Sequence, residues 1–590
     1  MPDNPPSVLL DDARPGQERL LRFSRPTAII RADTPDQVAP ALALLARASG
    51  NHLAGYFSYE LGYLLEDRLR PLLPGARAVP LLWFGVFERC EAVAGADVES
   101  WLTAAAPGRA WVGQLRHDWD RAAYGAAFNR VQQFIRDGDI YQANLSFRSR
   151  FRFLGDPLAL YAALRRHARG AHCAYVDDGE RQILSLSPEL FFTLSADGLL
   201  RARPMKGTAP RGVDADADRN ARKSLAASAK DRAENLMIVD LLRNDLGRIA
   251  ETGSVAVEEL FAVETYPTLH TMVSTITAAL KRGTGQGDLL RALFPCGSVT
   301  GAPKIRAMEI IRTLEESPRG PYCGAIGHFA PDGSARFNVA IRTLTISGAN
   351  GELGIGGAVV HDSVLDNEYD ECLLKARYFE AARRPLELIE TLRHAAGAGF
   401  VRLALHLARM EQSAAAFGIV FDRETAMAAL AGAVRGSEGA LRVRLVLNED
   451  GRFQCTAVPL PPAPAEWRFA FARTGVESND QLLRHKTSWR EAQERELAAC
   501  GADEAVFLNE HGAVTEGCRS NVFIARDGRL LTPALSCGLL DGCLRQELIA
   551  AGKCEEAVLT RSDLMQAEEI WLGNSLRGLV PARPARNAIG

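Results

Sequence analysis

The chain changes character at Arg383-Arg384-Pro385, and this break constrains its fold more than any other feature. The pattern from about Leu365 to Ala382 predicts a helix. Pro385 is expected to stop it, because proline lacks the amide hydrogen that a helix interior needs. A chain of 590 residues is also long enough for more than one domain. We therefore predict two domains, residues 1–384 and 385–590, the second divided into two lobes by the proline-rich stretch 459–464.

Charge and composition exclude several classes of partner. The net charge is −3 and the pI is about 6.5, so no overall positive field would attract nucleic acid or an anionic membrane. The sequence shows no signal peptide and no apolar stretch of membrane-spanning length. The 11 cysteines are scattered without a C-x-x-C pair, which indicates neither a disulfide framework nor a zinc site. We expect a cytoplasmic protein.

Two acidic pairs on predicted helices have the spacing of a shared helix face. Asp231 and Glu234 are three residues apart, and Glu368 and Glu371 repeat this spacing, with Lys375 one turn further on. Such pairs are usually solvated faces with salt bridges. Carboxylates on facing helices can also hold Mg²⁺, which takes oxygen ligands and keeps water or a substrate anion. Spacing alone leaves both readings open.

A series of short motifs, taken in order, is more specific than any one of them. The first domain contains Gly138-Asp139-Ile140-Tyr141-Gln142, Ser187-Pro188-Glu189, Pro204-Met205-Lys206-Gly207-Thr208, Arg243-Asn244-Asp245-Leu246-Gly247-Arg248, Gly297 to Lys304, Tyr322-Cys323-Gly324, Ala340-Ile341-Arg342-Thr343 and Glu368 to Lys375. Together they resemble the chorismate-utilising enzymes, which include anthranilate, aminodeoxychorismate, isochorismate and salicylate synthases. The resemblance implies an α+β fold whose first domain is a large β-sandwich-like body with flanking helices.

The resemblance also implies roles for individual residues. Glu234 and Glu371 match the Mg²⁺ ligands, with Asp231 and Glu368 as support through water, and Glu189 matches the general acid that protonates the leaving hydroxyl. A further set matches groups that contact the substrate chorismate: Gln142, His270, Thr300, Tyr322, Arg342, Gly357 and Lys375. Arg342 suits a carboxylate because its fork binds bidentately. His270, as a lone histidine, equally fits a core position.

Two positions narrow the reaction class. Family members that add water have a lysine base where this chain has Gln142, and glutamine cannot deprotonate water. Aminodeoxychorismate synthases read Pro-x-Lys-Gly-Thr where anthranilate synthases read Pro-Ile-Ala-Gly-Thr, and this chain has Lys206. The resemblance implies that Lys206 attacks C2 of chorismate and that ammonia then adds at C4. No glutaminase motif is visible, so a separate glutamine amidotransferase subunit is expected to supply the ammonia.

Residues 385–590 have a different set of motifs. They include His406 to Arg409, Lys486-Thr487, Glu516-Gly517, Ser520-Asn521-Val522-Phe523, Leu540 to Arg545 and Asn574-Ser575-Leu576-Arg577-Gly578. In this order they resemble the class IV, or fold-type IV, pyridoxal-phosphate enzymes, smaller domains of two α/β lobes. That family includes aminotransferases and 4-amino-4-deoxychorismate lyase. It forms dimers through this domain, so a homodimer is compatible with the resemblance.

The second resemblance implies a cofactor site for pyridoxal 5′-phosphate (PLP). Lys486 matches the lysine that binds PLP, Glu516 the carboxylate at the pyridine nitrogen and Arg409 the phosphate-binding arginine. Gly542 and Cys543 match the phosphate-binding helix start, and Asn574 and Ser575 match further contacts. The family often has Gly-Ile-Thr-Arg where this chain has Gly542-Cys543-Leu544-Arg545, so one hydroxyl contact is missing. The domain is also short, its first lobe being trimmed or completed by the neighbouring domain.

Adjacency connects the two halves. The inferred product of the first domain, 4-amino-4-deoxychorismate, is the substrate of the lyase member of the second family. The sequence therefore favours a bifunctional enzyme of 4-aminobenzoate synthesis in the folate route. Two alternatives stay open: an anthranilate-synthase-type enzyme joined to an aminotransferase, and a non-catalytic class IV module.

Overall fold

The computed structural model describes residues 5–266 and 269–585, which divide into two compact units. The first unit contains residues up to 105, 114–151 and 157–382. The second contains 106–113, 152–156 and the chain from 383 onward. Two short segments of the amino-terminal part therefore belong to the second unit. No helix within the described ranges is long and apolar enough to cross a membrane.

Two large, mainly antiparallel sheets build the first unit. The first sheet runs in the order Gly301–Ala302, Gln142–Gly155, Asn350–Val359, Thr343–Ser347, Gln182–Ser187, His172–Asp177, Ser7–Asp12, Arg19–Ser24 and Glu91–Ala94, with Arg116–His117 paired to the second strand. The second sheet runs in the order Met205–Pro210, Leu269–Ala279, Leu199–Arg203, Leu190–Leu194, Ala335–Val339, Ala325–Phe329, His52–Phe57, Leu82–Phe87 and Ala28–Ala32, with Ala256–Thr265 paired to Leu269–Ala279.

The core of the first unit lies between and around these sheets. Val8 and Phe23 of the first sheet share one buried cluster with Tyr56 and Trp83 of the second, as in a β-sandwich. The other face of the second sheet is covered by helices, and the apolar side chains of both are buried in a larger cluster. The predicted α+β sandwich with flanking helices is therefore confirmed.

Eleven α-helices are assigned to the described part of the first unit. They are Pro35–Arg47, Gly62–Leu65, Asp97–Ala105, Arg121–Arg136, Pro157–Ala168, Ala215–Ala227, Ala229–Gly247, Gln286–Leu293, Lys304–Leu314, Leu365–Leu374 and Arg377–Ala382. The prediction of one helix over 365–382 was wrong in its middle. The helix breaks after Leu374, where the amide of Ala376 donates to Leu373 O in a tighter turn.

The second unit has two sheets, one in each lobe. The first has the order Gly399–Phe400, Leu388–Ala395, Leu441–Leu447 and Phe453–Pro459. The second has the order Val514–Gly517, Glu504–Leu508, Trp467–Phe471, Gly578–Pro584, Glu569–Asn574, Asn521–Arg526, Arg529–Pro533 and Glu555–Ala557, with a further pairing of the first and sixth strands. The accompanying helices are Leu403–Phe417, Arg423–Ala433, Glu491–Ala499, Cys543–Ala550 and Arg561–Met565.

A strand pair from early in the chain completes the core of the first lobe. Ala110–Val112 pairs with the end of Gln142–Gly155, and the Trp111 side chain is buried in the same cluster as Leu388 and Leu407. The Trp111 ring lies 4.7 Å from that of Phe417, centroid to centroid, edge to face. Its indole nitrogen donates to a Glu449 carboxylate oxygen at 3.3 Å. Residues 385–590 alone therefore lack part of their own core.

Replacing Trp111 with alanine is expected to destabilise the second unit by about 3 to 5 kcal/mol, because it removes a buried ring and leaves a cavity. Hydrogen exchange of the amides in Leu388–Ala395 and Leu441–Leu447 reports this loss directly. Trp101→Ala is the matched control, since Trp101 lies on a helix of the first unit. Unchanged exchange in these strands after Trp111→Ala would contradict the placement of this segment.

Candidate active sites

One cavity of about 300 Å³ gathers most of the side chains predicted for chorismate. Nine of them line it: Glu189, Lys206, Asp231, Glu234, Tyr322, Arg342, Glu368, Glu371 and Lys375. They lie on strands, on helices and in the segments that connect them, between residues 189 and 375. The fold therefore brings together groups that are far apart in sequence. The cavity carries lysine, arginine and carboxyl groups together, which suits a small substrate with more than one carboxylate.

An irregular edge strand presents Lys206 to the cavity. Met205–Pro210 pairs with Leu269–Ala279, and the register shifts between Lys206 and Thr208. Gly207 at this shift has φ +77°, and a β-carbon there would lie 2.7 Å from a carboxylate oxygen of Asp231. Glycine is required here because the strand approaches the helix Ala229–Gly247 so closely.

Burial adjusts the acid–base state of two facing groups. Burial lowers the pKa of Lys206, although the carboxylates of Glu234 and Glu189 oppose the shift. Burial raises the pKa of Glu189 to about 7, with the Ser298 hydroxyl, which donates to it at 2.8 Å, acting the other way. Lys206 is thus easier to deprotonate than an exposed lysine, and Glu189 is still about half protonated at pH 7. The pair suits a nucleophile next to a general acid.

Four carboxyl groups line the cavity. Glu371 lies 2.9 Å from Lys375, and that ammonium holds the pKa of Glu371 below its usual value. Burial raises the pKa of Glu234 and of Glu368, the latter accepting a hydrogen bond from Ser363 at 2.7 Å. Asp231 is the fourth of these groups. Within the described ranges no three of these carboxylates have oxygens all within 4.8 Å of one another. An open set of oxygen donors fits Mg²⁺, which keeps waters and a substrate anion.

Three groups are available for the substrate's carboxylates. Arg342 has no carboxylate partner among the described residues, and burial lowers its pKa. Lys375 donates to Gly356 O at 2.8 Å; burial opposes its charge, but Glu371 raises its pKa overall. The Tyr322 hydroxyl lies 3.4 Å from that of Ser146. An anion in the cavity would satisfy the Arg342 guanidinium.

Four predicted substrate-binding residues do not line the cavity. His270 is buried, with ring nitrogens 2.9 Å from Thr265 Oγ1 and 3.0 Å from Asp218 Oδ1, which is the core role weighed for it above. Thr300 donates to Cys296 O, and Gly357 lies just behind Glu368 and Lys375. Gln142 is fully buried, and among the described residues neither atom of its side-chain amide has a hydrogen-bond partner.

Sequence reasoning missed several groups that line this cavity. Ser298, which holds Glu189, lies inside the motif Gly297–Lys304 and could have been found there. Asn144 lies two residues after Gln142 on the strand Gln142–Gly155, so the two side chains are on the same face of the strand. This spacing could have added Asn144 to the predicted site residues. Lys230 lies 3.9 Å from Glu234 and could not have been separated from ordinary helix salt bridges.

The second unit holds a buried lysine and a buried carboxyl group whose pKa values are both strongly shifted. Burial lowers the pKa of Lys486 to about 8, and its ammonium has no hydrogen-bond or ion-pair partner in the described ranges. Burial also raises the pKa of Glu516 to about 8. Both groups interact electrostatically with Arg409 and Arg490, which places them in one region. Such groups fit a ligand that offers an aldehyde to the lysine and a basic nitrogen to the carboxyl.

A buried network that sequence reasoning missed surrounds Arg409. The guanidinium donates twice to Glu390, at 2.7 and 2.8 Å, and once to Asp541 O at 3.0 Å. Glu390 also lies 2.6 Å from His406 Nδ1, and His406 Nε2 lies 2.7 Å from Ser575 Oγ. Arg409 and Ser575, both predicted for the cofactor, are thus linked through two residues not predicted for it. The sequence offered one signal for this network, namely an acid at Glu390 that could pair with the basic side chains of His406 and Arg409.

The remaining predicted cofactor residues surround the start of the helix Cys543–Ala550. Gly542 is its N-cap, where a β-carbon would overlap the side-chain amide of Asn521. The Cys543 sulfur lies within 4.8 Å of ligand atoms of Glu390 and His406. The Asn574 side chain accepts from the amides of Leu576 and Arg577 and donates to Arg519 O, so it shapes its own turn. Free helix amides beside Arg409 fit a phosphate group.

The described part of the second unit also contains a cavity of about 540 Å³. Of the predicted residues, Arg409 lines it, and Lys486 and Glu516 do not. The lysine and the carboxyl group are therefore not part of the lining of this cavity.

Comparisons with known proteins agree with both halves. A family model described as chorismate binding enzyme matches residues 5–381, and one described as amino-transferase class IV matches 387–584. Aminodeoxychorismate synthase component 1 of Klebsiella aerogenes is 44% identical over 276 residues, 47% of this chain and 60% of that protein. Its namesake from Salmonella typhimurium is 48% identical over 251 residues, 42% of this chain and 55% of that one.

Among solved structures, the crystal structure of anthranilate synthase component I from Streptococcus pneumoniae is 25% identical, with a TM-score of 0.53, over 61% of this chain and 91% of that chain. The chain spans about 55 to 60% of the length of the two curated relatives. The first family model covers more than half of the chain, and class IV enzymes use PLP. The chain therefore belongs to the chorismate-binding enzyme family and carries a class IV aminotransferase domain of the PLP type after it.

Proposed function

We propose that the first unit converts chorismate and ammonia to 4-amino-4-deoxychorismate. The single observation that carries this is the composition of the cavity. It contains Lys206, whose pKa is lowered, and Glu189, whose pKa is raised. It also contains Arg342 and Lys375, which can bind carboxylates. The relatives named aminodeoxychorismate synthase component 1 support the same reaction.

The reaction divides into two displacements on the ring. The neutral amine of Lys206 forms a bond to C2 of chorismate, the ring double bonds shift, and the C4–O bond breaks as Glu189 gives its proton to the leaving hydroxyl, which departs as water. Ammonia then forms a bond at C4 while the C2–N bond to Lys206 breaks, and the ammonia nitrogen loses a proton. Arg342 and Lys375 hold the carboxylates in place throughout.

The general acid gives the first reaction a defined pH dependence. Glu189 works only when protonated, with a pKa of about 7, and Lys206 only as the neutral amine. A rising pH removes the first form and produces the second, so the rate is expected to fall once the pH exceeds the pKa of both groups. Glu189→Gln should lower the rate by about a hundredfold to ten-thousandfold and remove this alkaline limb. The profile is measured at a constant concentration of unprotonated ammonia. If the rate of Glu189→Gln still declines at high pH, another group must be the general acid.

Mg²⁺ is proposed to bind at Glu234 and Glu371, with Asp231 and Glu368 acting through water. When bound, the ion would supply positive charge next to the ring carboxylate of chorismate. Adding a chelator should abolish chorismate consumption, and excess Mg²⁺ should restore it. Full activity in the chelated protein would contradict a metal role for these carboxylates.

We propose that the ammonia comes from a separate glutamine amidotransferase subunit. The test supplies chorismate with either ammonium or glutamine to the purified chain. Ammonium alone should give product, and glutamine should do so only when a glutaminase is added. Equal rates with both nitrogen donors and no added protein would overturn the proposal.

The second unit is proposed to eliminate pyruvate from 4-amino-4-deoxychorismate and release 4-aminobenzoate. PLP, when bound, would supply an electron sink for the ring carbon that bears the amino group. Lys486 holds the cofactor and moves the proton from that carbon, and Glu516 keeps a proton at the pyridine nitrogen. Equimolar pyruvate and 4-aminobenzoate are the expected products. Transfer of the amino group to a 2-oxo acid would instead show an aminotransferase.

A further inference from the structure

A chain of three hydrogen-bonded side chains lies inside the second unit. Glu390 Oε2 is 2.6 Å from His406 Nδ1, and His406 Nε2 is 2.7 Å from Ser575 Oγ. Glu390 and His406 are each 1% exposed, and Ser575 is 9% exposed. The chain therefore runs from a fully buried carboxylate through a fully buried ring to a hydroxyl group on a residue that is slightly exposed.

The hydrogen-bond partners fix the direction of each proton. Although burial opposes ionisation, the Arg409 fork holds the pKa of Glu390 well below its usual range, so Glu390 is a carboxylate and accepts from His406 Nδ1. Burial lowers the pKa of His406, despite Glu390, so the ring is neutral near pH 7 and above. A neutral ring that donates from Nδ1 has an acceptor at Nε2. The Ser575 hydroxyl must then donate its hydrogen bond to His406 Nε2.

This arrangement leaves Ser575 unable to donate to anything else. Its free lone pairs would repel a phosphate dianion near the helix start at Gly542 and Cys543. If His406 takes up a proton, both ring nitrogens donate, Ser575 becomes an acceptor from His406, and its own proton is free to point outward. The network thus has two states that differ by one proton and by the direction of one hydroxyl.

We propose that His406 is a positioning residue that couples binding of the cofactor's phosphate group to the uptake of one proton, by freeing the hydroxyl of Ser575 to donate to that phosphate. The proton comes from solvent and no other bond changes. The groups that face His406 are Glu390 from its strand, Arg409 from the same helix, Lys486 and Cys543. A phosphate dianion adds negative charge to this set and so favours the protonated ring.

The sign of the pH dependence follows. Phosphate binding raises the pKa of His406 above its value in the free protein. The binding is therefore strongest below the pKa of the free protein and weakens as the pH rises from there to the raised pKa. Affinity for an organic phosphate should decline across this range, while affinity for the same ring without phosphate should not change for this reason. The proposal rests on the PLP site described above.

The experiment is calorimetric binding of pyridoxamine 5′-phosphate to the full chain, compared with pyridoxamine. Neither amine condenses with Lys486, and at pH 8 the phosphate is already a dianion, since its second pKa is about 6. Titrations in buffers of different ionisation enthalpy give the protons taken up. The difference in proton uptake between the two ligands is the contribution of the phosphate group. The variants are His406→Asn, His406→Gln and Ser575→Ala, and His511→Asn at an exposed surface histidine is the matched control.

The wild-type chain and His511→Asn should take up about one more proton with pyridoxamine 5′-phosphate than with pyridoxamine. The other three variants should lose this difference, and Ser575→Ala should bind the phosphate roughly tenfold or more weakly. Weaker binding with an unchanged proton difference would show a merely structural role and overturn the proposal, as would wild-type binding without the extra proton. No wild-type binding at all would overturn the cofactor site as well, so the two failures are distinguishable.

Discussion

Replacing Lys206 with alanine is expected to lower formation of 4-amino-4-deoxychorismate by at least about a thousandfold, because the substitution removes the atom that forms the bond to C2. The lysine lies in the cavity on an irregular edge strand, with Glu189 and Glu234 as its charged neighbours. Its lowered pKa raises the fraction of neutral amine, which is the reactive form. The measurement is the rate of chorismate consumption with ammonium.

Lys223→Ala is the matched control for this substitution. Lys223 lies on the neighbouring helix Ala215–Ala227 and is exposed. It should keep the wild-type rate, whereas Lys206→Ala should not. If Lys206→Ala still aminated C4 at a comparable rate, ammonia would have to attack directly, and the lysine would serve only as a cation in the cavity.

Replacing Lys486 with alanine should stop 4-aminobenzoate formation while chorismate consumption continues. The buried amine has a pKa of about 8, so at pH 8 about half of it is neutral and able to react with the cofactor's aldehyde. The variant should lose the visible absorbance of lysine-bound PLP, and 4-amino-4-deoxychorismate should accumulate. Liquid chromatography of the reaction mixture measures both compounds.

Lys553→Ala serves as the control in the second unit, since Lys553 is exposed after the helix Cys543–Ala550. It should retain the absorbance and the product. Loss of chorismate consumption in Lys486→Ala would contradict the independence of the two chemistries. Continued release of 4-aminobenzoate would contradict the role of Lys486.

Local patterns predicted much of the secondary structure. The segment from about Leu365 to Ala382 is helical at both ends as expected, over Leu365–Leu374 and Arg377–Ala382. The break after Leu374 was not predicted, because it depends on a local turn that periodicity does not reveal. The motifs also identified nine side chains that share one cavity. Their convergence depends on pairings of distant strands, such as Leu190 with Asn338, which one sequence does not contain.

The second unit shows where sequence reasoning stops. The acid at Glu390 and the basic residue His406 were only a weak signal in the sequence. Their contact with each other and the contact of His406 with Ser575 appear only in the structure. The two segments 106–113 and 152–156 lie far from residue 385 in sequence, yet Trp111 packs in the core beside Leu388. Long-range packing of this kind is set by tertiary structure, not by local pattern.

The most direct test of two successive reactions in one chain supplies chorismate, isotopically labelled ammonium, Mg²⁺ and PLP to the purified protein. Pyruvate and labelled 4-aminobenzoate are expected in equal amounts, and 4-amino-4-deoxychorismate should appear transiently before them. Labelled anthranilate, or 4-amino-4-deoxychorismate that accumulates without pyruvate, would contradict it.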